Sequence, residues 1–168
     1  DMIATGKRHD FLFRYEIGFD DSGRIESAVI DMAARSGNVA DLSAGVVARA
    51  LCHGNNAYFI PNALFRGWPC KTNTVSNTAF RGFGGPQGMI AIETAIEHIA
   101  RDLGITVDEV RAANYYGTED RNVTPYGQPV TDNIMPEIVE RLSREIDYEG
   151  RRKAIEEFNA AHTTLKKG

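Results

Sequence analysis

Nowhere among its 168 residues does the chain carry the eighteen or more consecutive apolar residues of a membrane span, and its first residues hold no signal-peptide hydrophobic stretch. No membrane partner is expected. Basic excess is missing too: 19 Lys and Arg against 23 Asp and Glu leave a net charge of −4. The cation surplus that a phosphate backbone demands is absent, so nucleic acid is not an expected partner. Cysteine is scarce, with Cys52 and Cys70 alone in a chain of ordinary core-forming composition. That argues against a disulfide framework or a Cys-rich metal site, and for a reducing cytoplasm. Cys52 reads as a small buried hydrophobe and Cys70 as a strand residue. The histidines His9, His53, His98 and His162 are scattered, without His-x-x-x-His spacing, so surface or hydrogen-bonded roles are expected of them. A start at Asp1 rather than methionine is what a processed product or an excised piece would show. Repeats and low-complexity tracts are also lacking, and residues 1–168 read as one domain.

What is present is a 42% hydrophobic content whose spacing changes along the chain. Phe11, Phe13, Tyr15, Ile17 and Phe19 alternate with polar residues, the period of a half-buried strand. After the turn Asp20-Asp21-Ser22-Gly23, residues 24–34 return as a second strand, which makes a hairpin. Residues 41–53 predict a short helix with Asp41 or Ser43 as cap and Gly54 as stop. Residues 58–60 and 64–74 predict short strands, interrupted by Pro61-Asn62, Gly67 and Pro69 or confined to a sheet edge. A long helix starts at Pro86 and carries Met89, Ile92, Ile96, Ile99 and Leu103 to Gly104. Thr106 and Glu109 form a capping box for the next helix, with Gly117 as its terminator. Residues 118–133 read as an exposed loop, followed by helices over 135–146 and 148–165, the latter striped by Ile155, Phe158 and Leu165. Strands first and helices later predict an α+β fold, its C-terminal half mainly helical.

One segment is chemically unusual. In Asn77-Thr78-Ala79-Phe80-Arg81-Gly82-Phe83-Gly84-Gly85-Pro86-Gln87-Gly88, four glycines fall within seven residues just before the long helix. Glycine admits positive φ and close approach, and a helix start offers unpaired N–H donors at the positive end of its dipole. Such a loop suits an anion or a cofactor's oxygens, or it is a tight strand-to-helix turn with no ligand. No Gly-Lys-Ser or Gly-Lys-Thr follows, so it is not a nucleotide phosphate loop. Phe83 either faces a ligand or anchors the loop to the sheet.

The run Lys71-Thr72-Asn73-Thr74-Val75-Ser76 with the loop after it resembles the molybdopterin-binding domain of the xanthine dehydrogenase and xanthine oxidase family. The likeness extends to Thr5-Gly6-Lys7-Arg8-His9, Asp41-Leu42-Ser43, Arg49-Ala50-Leu51, Tyr58-Phe59-Ile60-Pro61-Asn62 and Phe158-Asn159, so nearly the whole chain is covered. It implies part of a molybdenum hydroxylase that oxidises hypoxanthine and xanthine to urate. Its cofactor is molybdenum-molybdopterin, and the holoenzyme would also use 2Fe-2S clusters, FAD and NAD. Phe80, Arg81 and Gly82 fall on cofactor-contacting positions, with the Arg81 main chain at the molybdenum centre. Phe83 falls on the phenylalanine that packs against the substrate ring, and Arg49 on the arginine that holds a purine carbonyl. Helical projection puts Arg49 at the edge of the apolar stripe, partly buried and level with His53. The family's general-base glutamate and a second glycine-rich segment are not found in this chain, so no catalytic residue is assigned, and Glu93 and Glu97 read as solvated. The isolated piece is expected to be inactive. Its expected partners are a purine, the remainder of the molybdenum subunit, an iron–sulfur and FAD subunit or domain, and further copies in an oligomer. An aldehyde oxidase or carbon monoxide dehydrogenase type subunit and a non-catalytic scaffold module are the alternatives.

Overall fold

In the computed structural model, which describes residues 3–168, alternation at the start of the chain becomes strand β1 (Phe11–Phe19), its odd residues half-buried and its even ones exposed. Asp1 and Met2, on which the reading of the chain's start rests, lie outside the described residues. β1 pairs antiparallel with β2 (Ile25–Gly37), Tyr15 opposite Ile30. The turn between them is held by Asp20, whose carboxylate accepts from the Ser22 and Arg24 N–H groups at 2.9 and 3.1 Å, while Gly23 takes φ +78°. β3 (Asn62–Lys71) then pairs parallel with β2, giving the order β1-β2-β3. Of the two expectations for this stretch, the break at Gly67 and Pro69 does not occur and the sheet-edge position does. Gly67 lies under helix α1, where a β-carbon would stand 2.6 Å from Val47 Cγ1. Pro69 is tolerated because β3 is an edge strand, which can lose a donor on its open side.

Parallel pairing requires a crossover, and α1 (Ser43–Cys52) supplies it. Its cap differs from expectation: Leu42 occupies the position with no side-chain cap bond. Asp41, at φ +42°, instead accepts from the Thr78 hydroxyl, and the buried Ser43 pairs with His9. Cys52, expected to be buried, is exposed because it lies on the outer face of α1.

Helix α2 (Gly85–Leu103) buries Ile92, Ile96 and Ile99 in one core with Ile30, Met32, Tyr58 and Ile60, and Gly104 ends it at φ +69°. Helix α3 (Val107–Asn114) begins with the Thr106 and Glu109 capping box and ends at Tyr115, short of Gly117. Tyr115 turns extended there and bridges Tyr58. Asn114 is fully buried, and its amide serves three main-chain groups: Ile25 N–H, Gly23 C=O and Val110 C=O, each at 2.8 Å.

The chain forms two compact units, residues 1–131 and 132–168. The second holds α4 (Met135–Glu145) and α5 (Tyr148–Ala161), neither of which buries a residue. α5 stops before Leu165, which is 67% exposed beyond the helix. Among the described residues no helix is long and apolar enough to cross a membrane.

Candidate cofactor-binding site

The glycine-rich segment is pinned before it turns. Thr78 N–H donates to Lys7 C=O at 3.0 Å, Asn77 N–H to Ser36 C=O at 3.0 Å, and the Asn77 amide to Arg35 C=O at 2.8 Å. Gly6 and Gly37 make room for it, because a β-carbon on Gly37 would stand 2.4 Å from Ser76 Cα and one on Gly6 would stand 2.9 Å from Ser76 O. The chain then reverses over residues 80–85, with Phe83 N–H donating to Phe80 C=O at 2.7 Å and Gly85 N–H to Gly82 C=O at 2.9 Å. Gly82, Phe83 and Gly84 take φ of +96°, +50° and +99° in succession. Phe83 is the one side chain held in this left-handed run, at a cost of about 1–2 kcal/mol.

The glycines divide into two kinds. At Gly84 a β-carbon would meet Val46 O at 2.0 Å, and at Gly88 it would meet Ala50 O at 2.2 Å. These two let the start of α2 rest directly on the α1 backbone, so packing accounts for them. Gly82 is different: its constraints are the left-handed φ and the Pro86 ring, 2.7 Å from where its β-carbon would be.

The arc from Phe80 to Gly82 leaves donors open. The carbonyls of Phe80 and Arg81 are both engaged, the second by Arg8 Nη2 at 2.7 Å. A trans peptide is planar, with its N–H opposite its C=O, so each engaged carbonyl aims the next N–H the other way. The Arg81 and Gly82 N–H groups, set in this manner, meet no acceptor among the described residues. Successive donors beside a left-handed residue form an anion-binding concavity. Phe80 is 57% exposed, with the Arg8 guanidinium 4.4 Å from its ring centre, and Arg8 Nη1 is buried with no acceptor among the described residues. Sequence reasoning missed Arg8, quoting it only within a matched run, because nothing local marks a contact 73 residues away.

Arg49 and Phe83 meet the same helix. Gly45, Arg49 and His53 follow one another at four-residue spacing, hence on one face of α1 and its end. The Phe83 ring lies against Gly45, whose β-carbon would stand 3.1 Å from it, and the His53 ring against Gly85, at 3.4 Å by the same measure. Phe83 is half-buried and anchors the loop to α1, not to the sheet. Arg49 sits between these contacts and donates from Nε to His53 Nε2 at 2.8 Å. It is exposed, not partly buried as expected, because that bond draws it along the helix. Burial, then the Arg49 charge, hold His53 below its ordinary pKa, which keeps the ring neutral and able to accept.

Glu93 is not solvated. It accepts from Tyr58 Oη at 2.6 Å and Asn56 at 2.9 Å and pairs with Arg111 at 2.9 Å. Burial raises its pKa, but the bonds from Tyr58, Arg111 and Asn56 outweigh it and leave the carboxyl lowered. Glu97 is exposed. The other histidines are hydrogen-bonded: His9 to Ser43, His98 to Tyr15, His162 to Phe158 C=O.

Two amides and a buried arginine nitrogen that meet no partner among the described residues, with an exposed aromatic beside them, suit a flat group bearing anionic oxygens. A molybdenum-pterin cofactor is of that kind, and the donor set fits it. Residues 1–115 match the molybdopterin cofactor-binding domain, and the chain belongs to that family. It is 43% identical to the nicotinate hydroxylase hnxS of Emericella nidulans and 43% identical to the xanthine dehydrogenase/oxidase of Gallus gallus, in each case over 100% of this chain. It spans 12% of the length of each. Among solved structures, the aldehyde oxidoreductase from Desulfovibrio gigas aligns with a TM-score of 0.81 at 26% identity, over 95% of this chain and 17% of that one.

Proposed function

We propose that these 168 residues are an internal part of the cofactor-binding domain of a molybdenum hydroxylase that acts on a nitrogen-containing aromatic ring, hypoxanthine or xanthine to urate. The observation that carries this reading is the pair of open amides at Arg81 and Gly82, set beside an α1 face that presents Arg49 and meets Phe83. When bound, the cofactor supplies a two-electron oxidation of a ring carbon with oxygen from water. Phe80 would pack against its flat ring system and the amides of Arg81 and Gly82 would hold its oxygens, with the Arg81 main chain as the contact to the metal centre. Phe83 packs on the substrate ring, which contributes about 1 kcal/mol beyond area burial. Arg49 donates to a ring carbonyl and offsets the negative charge that develops there, and neutral His53 keeps its guanidinium in line along α1. The general-base glutamate belongs to another part of the protein, so the isolated piece is inactive. The holoenzyme pairs this domain with 2Fe-2S clusters and FAD, passes electrons to NAD, and works as a cytoplasmic oligomer.

A second reading has equal support in identity. The nicotinate hydroxylase matches as well as the xanthine enzyme, at 43% each, and Arg49 would bind a carboxylate as readily as a carbonyl. Assaying the parent protein on xanthine, nicotinate and an aldehyde, with and without Arg49→Met, separates them. Urate formation that falls on the order of 100-fold in the variant supports the purine reading. Xanthine turnover unchanged by the substitution sinks it, nicotinate turnover selects the second reading, and a matured protein without molybdenum and pterin is no hydroxylase.

A further inference from the structure

We propose that Arg8 is a positioning residue for the open amides of the glycine loop, acting through the Arg81 carbonyl. The inference rests on the cofactor reading above. Arg8 makes three contacts with three consecutive residues. Its Nη2 donates to Arg81 C=O at 2.7 Å, its guanidinium lies over the Phe80 ring at 4.4 Å, and its Nη1 stands 3.8 Å from where Gly82 would carry a β-carbon. No carboxylate competes for it, since Arg8 forms no ion pair among the described residues. A planar fork that stacks and bonds at once needs an arginine, because a lysine ammonium is a point charge on a flexible stem.

The base of this side chain is itself fixed. Lys7 C=O accepts from Thr78 N–H at 3.0 Å, Gly6 presses against Ser76, and the adjacent His9 is 3% exposed and bonded to Ser43. The arginine thus leaves a pinned backbone and reaches a carbonyl three residues beyond Thr78. The Arg81–Gly82 peptide is flat, so gripping its oxygen sets the direction of the Gly82 N–H. Phe83 N–H does the same to the preceding peptide by gripping Phe80 C=O. One of the two cofactor-facing donors is therefore aimed by the loop itself, and the other by a side chain from the far end of the unit. The Arg81–Gly82 peptide could otherwise turn, since the Gly85 N–H grips the carbonyl on the far side of Gly82, and a glycine at φ +96° has no side chain to restrain the peptide before it.

The test uses the full-length parent protein as wild type, Arg8→Met and Arg8→Lys, prepared with and without molybdenum. Amide hydrogen exchange over residues 79–85, molybdenum and pterin content, the Mo(V) electron paramagnetic resonance line, melting temperature, and kcat with KM are read. Arg8→Met is expected to exchange about tenfold faster in that segment without molybdenum, the factor that one charge-assisted hydrogen bond supplies. When loaded it should show an altered Mo(V) line and a kcat lowered about tenfold, with KM within about twofold and partial rescue by Arg8→Lys. An unchanged exchange rate and Mo(V) line overturn the proposal, as does a loss of activity that merely follows the melting temperature. Should Arg8→Met not fold, Phe80→Leu takes away the ring under the guanidinium and must move the same two readouts in the same direction, and no movement overturns the proposal. Molybdenum and pterin missing from the wild type would instead bring down the cofactor reading, an outcome distinct from a loaded wild type that Arg8→Met leaves unaltered.

Discussion

At the hairpin turn, the buried Asn114 amide spends both its hydrogens and its oxygen on main-chain groups of Gly23, Ile25 and Val110, and nothing there is left over. At the glycine loop, carbonyls are gripped just as firmly, by Arg8 and by Phe83 N–H, yet the amides of Arg81 and Gly82 meet no acceptor among the described residues. Both junctions join distant stretches of chain through side chain to main chain bonds. The difference is that the first closes its polar accounts within the fold, and the second orders its donors while leaving them open. A junction that serves stability alone can be complete in itself, whereas open donors are what the proposed cofactor contact requires.

The comparison can be pressed from its strong end downward. Asn114→Ala removes the partners of three buried main-chain groups and is expected to cost about 3 kcal/mol or more in urea unfolding, and a loss below about 1 kcal/mol would mean that water replaces the amide. Gly84→Ala comes next, at about 2 kcal/mol, because its β-carbon would strike Val46 O at 2.0 Å and its φ is +99°. Gly127→Ala is its control: φ is +83° but nothing lies within 4 Å, so about 1 kcal/mol of left-handed strain is expected alone. Equal losses at Gly84 and Gly127 would dismiss close helix approach as the reason for the glycine. Arg81→Ala should alter stability by less than about 0.5 kcal/mol, since the side chain is exposed, makes no bond among the described residues, and leaves the arc to the main chain.

Acid should act as a slope on the same unit. Burial lowers the His9 pKa from 6.5 against the raising pull of Asp41 and Asp10. The unfolded chain then binds the proton more readily than the folded one below about pH 6.5. Stability present above that pH should fall as pH drops toward the lowered folded value and level off below it. Urea midpoints from pH 7.5 to 5 measure this, and His9→Gln should flatten that part of the curve. A midpoint that rises on acidification would contradict the burial argument.

Much of the scaffold was readable in order along the chain. The alternation of β1, the stripe of α2 and the Thr106 and Glu109 box each state a local rule that the structure obeys. β3 was readable as an edge strand but not as an unbroken one, because its tolerance of Gly67 depends on α1 lying above it. Glu93 read as a surface charge, since its partners Tyr58, Asn56 and Arg111 lie 35, 37 and 18 residues away. At the site, the glycine cluster announced itself, but its division did not. That Gly84 and Gly88 serve α1 while Gly82 serves the turn is a fact about the neighbouring helix.

Periodicity and turn chemistry act over a few residues, so the amino-acid order alone determined where β1, β2, α2 and α3 would form and which loop was chemically odd. Tertiary structure decided which amides of that loop stay open, that Arg49 lies along α1 toward His53, and that Arg8 grips the Arg81 carbonyl. Those outcomes depend on which groups meet across the fold, and a hydrogen bond is specified by position in space, whatever the distance along the chain.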